Sequence, residues 1–130
     1  MIVVDASSVI EVLVGARHAG AIEERMKAGR MCAPHLIDIE VAQVLRRFHD
    51  RGELSAERGL VALEHLAELG IIRYPHVLLL PRIWELRENV TAFDAAYVAL
   101  AEVLRAPLVT TDARLATATG HVAVIEVIKT

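Results

Sequence analysis

NVTAFDAAYVALAEVLRAPLVTTDARL, residues 89–115, reads as a buried helix, a tight turn, a buried strand and an aspartate at the strand's end. The helix is Ala, Val, Leu, Tyr and Phe almost to its end, so it presents apolar side chains all round, as a helix covered on every side does. Two acids sit in this stretch where acids are expensive. Asp94 lies in the first turn of the helix, and Asp112 follows the apolar run Pro107-Leu108-Val109. An ionised carboxylate taken out of water without a partner either destabilises the fold or shifts its pKa until it is neutral. Local capping offers one compensation. Thr91-Ala92-Phe93-Asp94 fits a capping box with Thr91 as N-cap, and Asp112 can equally cap a short helix over Ala113 to Ala118.

Outward from this stretch, short β-rich runs alternate with amphipathic helices. Ile2 to Val4 is the continuous apolar run of a strand buried on both faces, ended by Asp5. A helix from about Ser8 to Val14 stops at Gly15, and another from His18 to Ala28 turns Ile22 and Met26 inward and stops at Gly29. Met31 to Ala33 is a strand closed by Pro34. The helix His35 to Asp50 carries Ile37, Val41, Val44, Leu45 and Phe48 on one stripe. Ser55 opens the next, with Leu60, Leu63 and Ala67 on its inner face and a stop near Gly70. Ile71 to Tyr74 is a strand ended by Pro75. Pro81 suits the first turn of a helix carrying Ile83, Trp84 and Leu86, with Trp84 and Tyr97 expected in the core and Asn89 as a left-handed terminator. Leu108-Val109 and Val122 to Ile125 supply the last strands. Strands interleaved with helices predict one α/β domain over residues 1–130, a three-layer sandwich with a mostly parallel five-stranded sheet flanked by helices.

Composition sets outer bounds. The 130 residues are 55% hydrophobic, with a mean hydropathy of +0.43. No apolar run approaches the roughly 18 residues a membrane span needs. The N-terminal stretch lacks the basic and long apolar regions of a signal peptide, so a cytoplasmic chain without a membrane partner is expected. The lone Cys32 forms no internal disulfide and suits a small buried position. A net charge of −3 argues against a constitutively basic nucleic-acid binder. Twelve of the fourteen cations are arginine, whose planar fork suits phosphate.

In a parallel sheet the ligand site lies beyond the carboxyl ends of the strands, near the switch in strand order. Asp5 and Asp112 occupy that edge. Glu40 falls about 40° from Val44 around its helix, on the border of the apolar stripe, whereas Asp38 lies about 200° from Glu40 and faces elsewhere. Asp94 returns to the same edge from the start of its helix. Asp5, Glu40, Asp94 and Asp112 thus converge from separated parts of the chain. Four negative charges need a cation, and hard oxygen ligands suit Mg²⁺ or Mn²⁺. Open positions on such an ion take a phosphate and an activated water, which is the chemistry of phosphodiester hydrolysis.

The motifs carry a resemblance. Ile2-Val3-Val4-Asp5-Ala6-Ser7, Pro34-His35-Leu36-Ile37-Asp38-Ile39-Glu40-Val41, the set Thr91, Asp94, Ala95, Tyr97, Leu100 and Ala101, and Leu108-Val109-Thr110-Thr111-Asp112 follow one another as in PIN-domain ribonucleases of the VapC toxin type, which the chain resembles over nearly its whole length. The resemblance implies a Mg²⁺- or Mn²⁺-dependent endoribonuclease, the toxin of a toxin-antitoxin pair that inhibits growth or translation. Asp5, Glu40, Asp94 and Asp112 are then its catalytic and metal-binding acids, with Asp5 and Asp94 as direct ligands. Ser7 and Thr110 would orient carboxylates, and Arg114 would meet a phosphate. RNA as substrate, a homodimer and a cognate VapB-like antitoxin inserting near the acids are implied as well. The competing expectation is a catalytically inactive PIN-like module that binds RNA or a partner, its acids being structural. A phosphoacceptor signalling domain fits poorly, since it wants paired acids after the first strand.

Overall fold

The computed structural model describes residues 1–129. Five strands form one sheet: β1 (Ile2–Val4), β2 (Met31–Pro34), β3 (Ile72–Tyr74), β4 (Leu108–Thr110) and β5 (Ile125–Val127). Their order is β3-β2-β1-β4-β5 and every pairing is parallel. The chain builds outward from β1 to β3, then returns to the other side of β1. The switch in strand order therefore falls between β1 and β4, where the carboxyl ends of two adjacent strands diverge toward helices and leave a crevice.

Seven helices cover the sheet: α1 (Ala6–Val14), α2 (Ala19–Lys27), α3 (Ile37–Asp50), α4 (Ala56–Glu68), α5 (Leu80–Glu85), α6 (Ala92–Leu104) and α7 (Arg114–Thr117), with one 3-10 turn at His76–Leu79. α1 packs with α2, α3 and α4, while α6 lies across β1, β2 and β4 with α5 beside it. Every residue of α6 from Ala95 to Ala101 is buried, as its all-round apolar sequence predicts. Ile2, Val3, Val4, Cys32, Ala33, Leu108 and Val109 form the sheet's share of the core. Cys32 is buried and unpaired. Among the described residues, no helix is long and apolar enough to cross a membrane.

The expected elements are present, with five corrections of detail. α1 starts at Ala6, two residues earlier than expected, because Asp5 itself caps it. α4 turns Ala62 and Leu66 inward and leaves Leu60 (60% exposed), Leu63 and Ala67 outside. Both stripes have helical spacing, and the small Ala62 lets α4 approach its neighbours closely. Trp84 is 68% exposed instead of buried. The short α5 reaches the core through Ile83 and Leu86, three apart, which puts Trp84 on the outer side. Asn89 is not left-handed; among the described non-glycine residues that conformation belongs to Arg105 (φ 51), which caps α6 and makes the tight turn into β4. β5 begins at Ile125, three residues later than expected, and Val122 and Val124 before it are exposed.

Candidate active site

Asp5 occupies the switch point. It ends β1 in an extended conformation and serves as the N-cap of α1, accepting the Ser8 N–H on Oδ1 at 3.0 Å. The Ser7 hydroxyl donates to the same oxygen at 2.7 Å, and the Thr110 hydroxyl donates to Oδ2 from the end of β4 at 2.5 Å. Those two hydroxyls accept in turn, Ser7 Oγ from the Thr111 N–H at 3.1 Å and Thr110 Oγ1 from the Asp112 N–H at 3.0 Å. Ser8 Oγ donates to the Val109 carbonyl at 2.8 Å. The ends of β1 and β4 are thus laced together around one carboxylate that is only 6% exposed. Burial pushes the Asp5 carboxyl above its ordinary value, against the pull of Thr110, Ser7 and Ser8. Ser7 and Thr110 both donate to the Asp5 carboxylate.

Glu40 sits on the inner border of α3 and is half-buried. Its Oε1 is shut off from solvent without a hydrogen bond, and so is the Tyr97 hydroxyl on α6. Burial raises the Glu40 carboxyl, the Tyr97 hydroxyl pulls it down, and the charges of Asp94 and Asp5 raise it further. Burial and the neighbouring carboxylates push the Tyr97 phenol well above its usual range, so it stays protonated. Asp38 faces away, forming a two-pronged pair with Arg73 of β3 at 2.8 Å on both oxygens.

The capping expectations for Asp94 and Asp112 hold in part, and both residues also border the site. The Asp94 N–H donates to Thr91 Oγ1 at 3.2 Å. Its carboxyl is raised by burial and then by the charges of Asp112 and Asp5. Asp112 Oδ1 accepts the Arg114 N–H at 3.0 Å, while the Arg114 guanidinium spans both Asp112 oxygens at 3.0 and 2.9 Å and holds that carboxyl below the usual range. Arg114 is therefore paired with an acid here.

Asp5, Glu40, Asp94 and Asp112 all line one cleft of about 350 Å³, together with Ser7 and Tyr97. Glu11 lines it too and went unnoticed in the sequence, although its place four residues after Ser7 on α1 puts both on one face. Glu11 also accepts the His18 N–H at 3.1 Å. Among the described residues, no three His, Cys, Asp or Glu side chains close around a single point. The acids nonetheless suit a hard dication. Their donors are all oxygen, three of the four carboxyls are raised by burial, Glu40 and Asp94 are raised further by the charge of neighbouring acids, and Glu40 Oε1 lacks a partner.

The PIN domain family model matches residues 2–120. This chain belongs to the PIN-domain family. Its PIN-domain relatives include Ribonuclease VapC9 of Mycobacterium tuberculosis (strain H37Rv), 47% identical over 115 residues that make up 88% of each chain. Ribonuclease VapC1 of that organism is 47% identical over 121 residues, 91% of this chain and 90% of the relative. Ribonuclease VapC12 is 38% identical over 128 residues, 98% and 99% of the two chains. The fold is shared with VapC20 of M. tuberculosis, described as a sarcin-ricin loop cleaving toxin (TM-score 0.71, 15% identity, 95% and 98% coverage). It is shared also with PAE2754 from Pyrobaculum aerophilum (TM-score 0.67, 23% identity, 95% and 82% coverage). PIN-domain ribonucleases are typically metal-dependent.

Proposed function

We propose that this PIN-domain protein is a Mg²⁺- or Mn²⁺-dependent endoribonuclease, the toxin of a toxin-antitoxin pair. The observation that carries the reading is one cleft, at the switch in strand order, lined by five acids of which, among the described residues, only Asp112 is ion-paired. In this reading Asp5 and Asp94 ligate the ion directly, with Glu40 and Asp112 completing the set. Such an ion supplies a polarised phosphate and a water acidic enough to attack it. Ser7 and Thr110 fix the Asp5 carboxylate so that no reorientation is needed when substrate arrives. Arg114, 88% exposed, turns from Asp112 to a phosphate oxygen at little cost. Hydrolysis adds water across one P–O bond, and the departing ribose oxygen takes up a proton.

The relatives' ribonuclease names support RNA as substrate. The reading extends to one domain over residues 1–130, to a homodimer, and to a VapB-like antitoxin whose cationic side chain occupies the same acids and competes with metal and RNA. The second reading is a binding module without catalysis, its acids being structural. Labelled RNA separates the two readings. Cleavage with Mg²⁺ or Mn²⁺ that EDTA abolishes and excess metal restores is expected, along with growth arrest of a bacterial host that Asp5→Asn relieves. Undiminished cleavage in EDTA refutes the metal mechanism, and RNA binding without cleavage under every divalent ion supports the binding module.

A further inference from the structure

The acidic cleft cannot by itself seat a nucleic acid strand, because its walls are carboxylates and each nucleotide brings another negative charge. A second depression of about 620 Å³ opens beside it and shares Asp94 with it. Arg87, Asn89, Thr91, Arg114, Thr117 and Thr119 line it. Its lining is of a different kind, hydroxyls, an amide and two exposed guanidinium groups, of which Arg114 is the one paired with Asp112, interleaved with Val90, Leu115 and Ala118, and Glu88 is its only acid besides Asp94.

The groove is held in shape from behind. Gly120 (φ 85) passes so close to the Asn89 side chain that a Cβ there would come within 2.7 Å of Nδ2. Asn89 Nδ2 also donates to Thr119 Oγ1 at 3.3 Å. Arg82 pins this segment by donating to the Gly120 carbonyl at 2.9 Å and to both oxygens of Glu102 at 2.9 and 3.0 Å. At the outer end the Arg87 guanidinium lies 4.8 Å over the Trp84 ring and donates to the Trp84 carbonyl at 2.9 Å. The fold does not use this exposed indole in its core. A flat cation layered on an aromatic ring beside a polar groove is what unpaired bases and their phosphates recognise.

We infer that this groove seats single-stranded RNA next to the reacting phosphate, with Arg114 and Arg87 meeting backbone phosphates and a base stacking on the Arg87–Trp84 pair. The inference rests on the ribonuclease reading of the neighbouring cleft. Stacking of this type tolerates sequence, so the groove selects unpaired strands over duplexes.

The chain holds one tryptophan, so its fluorescence reports on Trp84 alone. Titration with a short single-stranded RNA in EDTA is expected to quench it saturably, and the same RNA as a duplex to quench it far less. In steady-state cleavage, Arg87→Ala and Trp84→Ala are each expected to raise KM about tenfold, as for one lost stacked base, with kcat within about twofold. Arg87→Ala also lowers the salt dependence of binding by roughly 0.7 in log–log slope. Arg58→Ala on α4 is the control and leaves KM unchanged. Unaltered KM in both groove variants, with wild-type cleavage intact, overturns the groove and leaves the nuclease reading standing. Absence of wild-type cleavage under every divalent ion refutes the nuclease reading. In that event, quenching that Arg87→Ala weakens still supports the groove, and its absence overturns it. Emission that ignores RNA but shifts on dilution assigns the Trp84 face to contact between copies of the chain, which also overturns the inference.

Discussion

Asp38 and Glu40 stand two residues apart on α3 and meet opposite fates. Asp38 is answered on both oxygens by Arg73, which ties α3 to β3. Glu40 faces Asp94, Asp5 and a tyrosine, and one of its oxygens has no partner at all. The same chemical group is a fastener on one side of the helix and a burden on the other. A neutralised carboxylate explains itself through stability. An uncompensated one points to a role outside folding, since burial without a counter-charge weakens the fold that keeps it.

The comparison breaks most visibly at Asp5, which belongs with Glu40 in the proposed ligand set. Asp5→Asn is expected to cut the metal-dependent cleavage rate by about a thousandfold, or roughly 4 kcal/mol of barrier, in single-turnover assays. Activity near wild type would remove the central acid from the mechanism. The direct contrast comes next. Glu40→Gln should lose on the order of a hundredfold in kcat, while Asp38→Asn stays within about twofold and instead lowers stability by roughly 0.5–1 kcal/mol, as for a partly exposed ion pair. The opposite ranking would reverse the roles assigned to the two faces of α3.

Thermal melts sharpen the same contrast. Carboxyls raised in the fold, at Asp5, Glu40 and Asp94, contribute stability that is full below the unfolded value near ~4 and is lost as pH rises through the raised values. Asp112, held low by Arg114, runs the other way, its contribution being present above the unfolded value and lost as pH falls through the depressed one. Above pH 5 the Asp112 contribution is already in place, so the three raised groups set the sign between pH 5 and pH 7. Metal-free protein should therefore melt roughly 2–5 °C higher near pH 5 than near pH 7. At pH 7, metal at tenfold over its Kd restores about 1.4 kcal/mol. A mutant Asp94→Asn that melts lower in EDTA yet gains the full metal increment would reduce Asp94 to a helix-start residue. The smallest effect belongs to Tyr97→Phe, which removes the hydroxyl facing Glu40. A loss of about tenfold or less in kcat is expected. The acid limb of the pH profile should move to higher pH, because that hydroxyl pulls the Glu40 carboxyl down. An unmoved limb would make Tyr97 a core residue only.

Much of this was legible in the residues. Glu40 and Asp38 were separated by helical periodicity alone, and Asp5 and Asp112 were placed by the rule for carboxyl ends of parallel strands. What escaped depends on partners far along the chain. Arg73 reaches Asp38 only because β3 pairs with β2 in the register that sets Ala33 opposite Arg73. Nothing local to α3 announces that. The inner face of α4 was misread because Leu60, Leu63 and Ala67 form as good a stripe as Ala62 and Leu66, and close packing on α1 and α3 favours the smaller residue. Trp84 was placed inside along with Ile83 and Leu86, whereas a six-residue helix presents too narrow a face to bury all three. At β5, Val122 and Val124 mimic the start of a strand but precede the point where Leu108 pairs with Ile125.

The lacing of β1 to β4 also sets when the protein acquires its site during synthesis. The Thr110 bond to Asp5 spans 105 positions, and the Thr111 bond to Ser7 spans 104. A nascent chain that has emerged only as far as α6 carries Asp5, Glu40 and Asp94 but lacks Thr110 and Asp112, and β1 has no neighbour on that flank. Its Asp5 carboxylate is held by the α1 turn alone. Ribosome-bound chains halted after Leu104 should accordingly leave RNA uncut under conditions where released full-length protein cleaves it. Assembly of the cleft from both ends of the chain thus withholds the complete acid set until β4 and the residues after it have emerged.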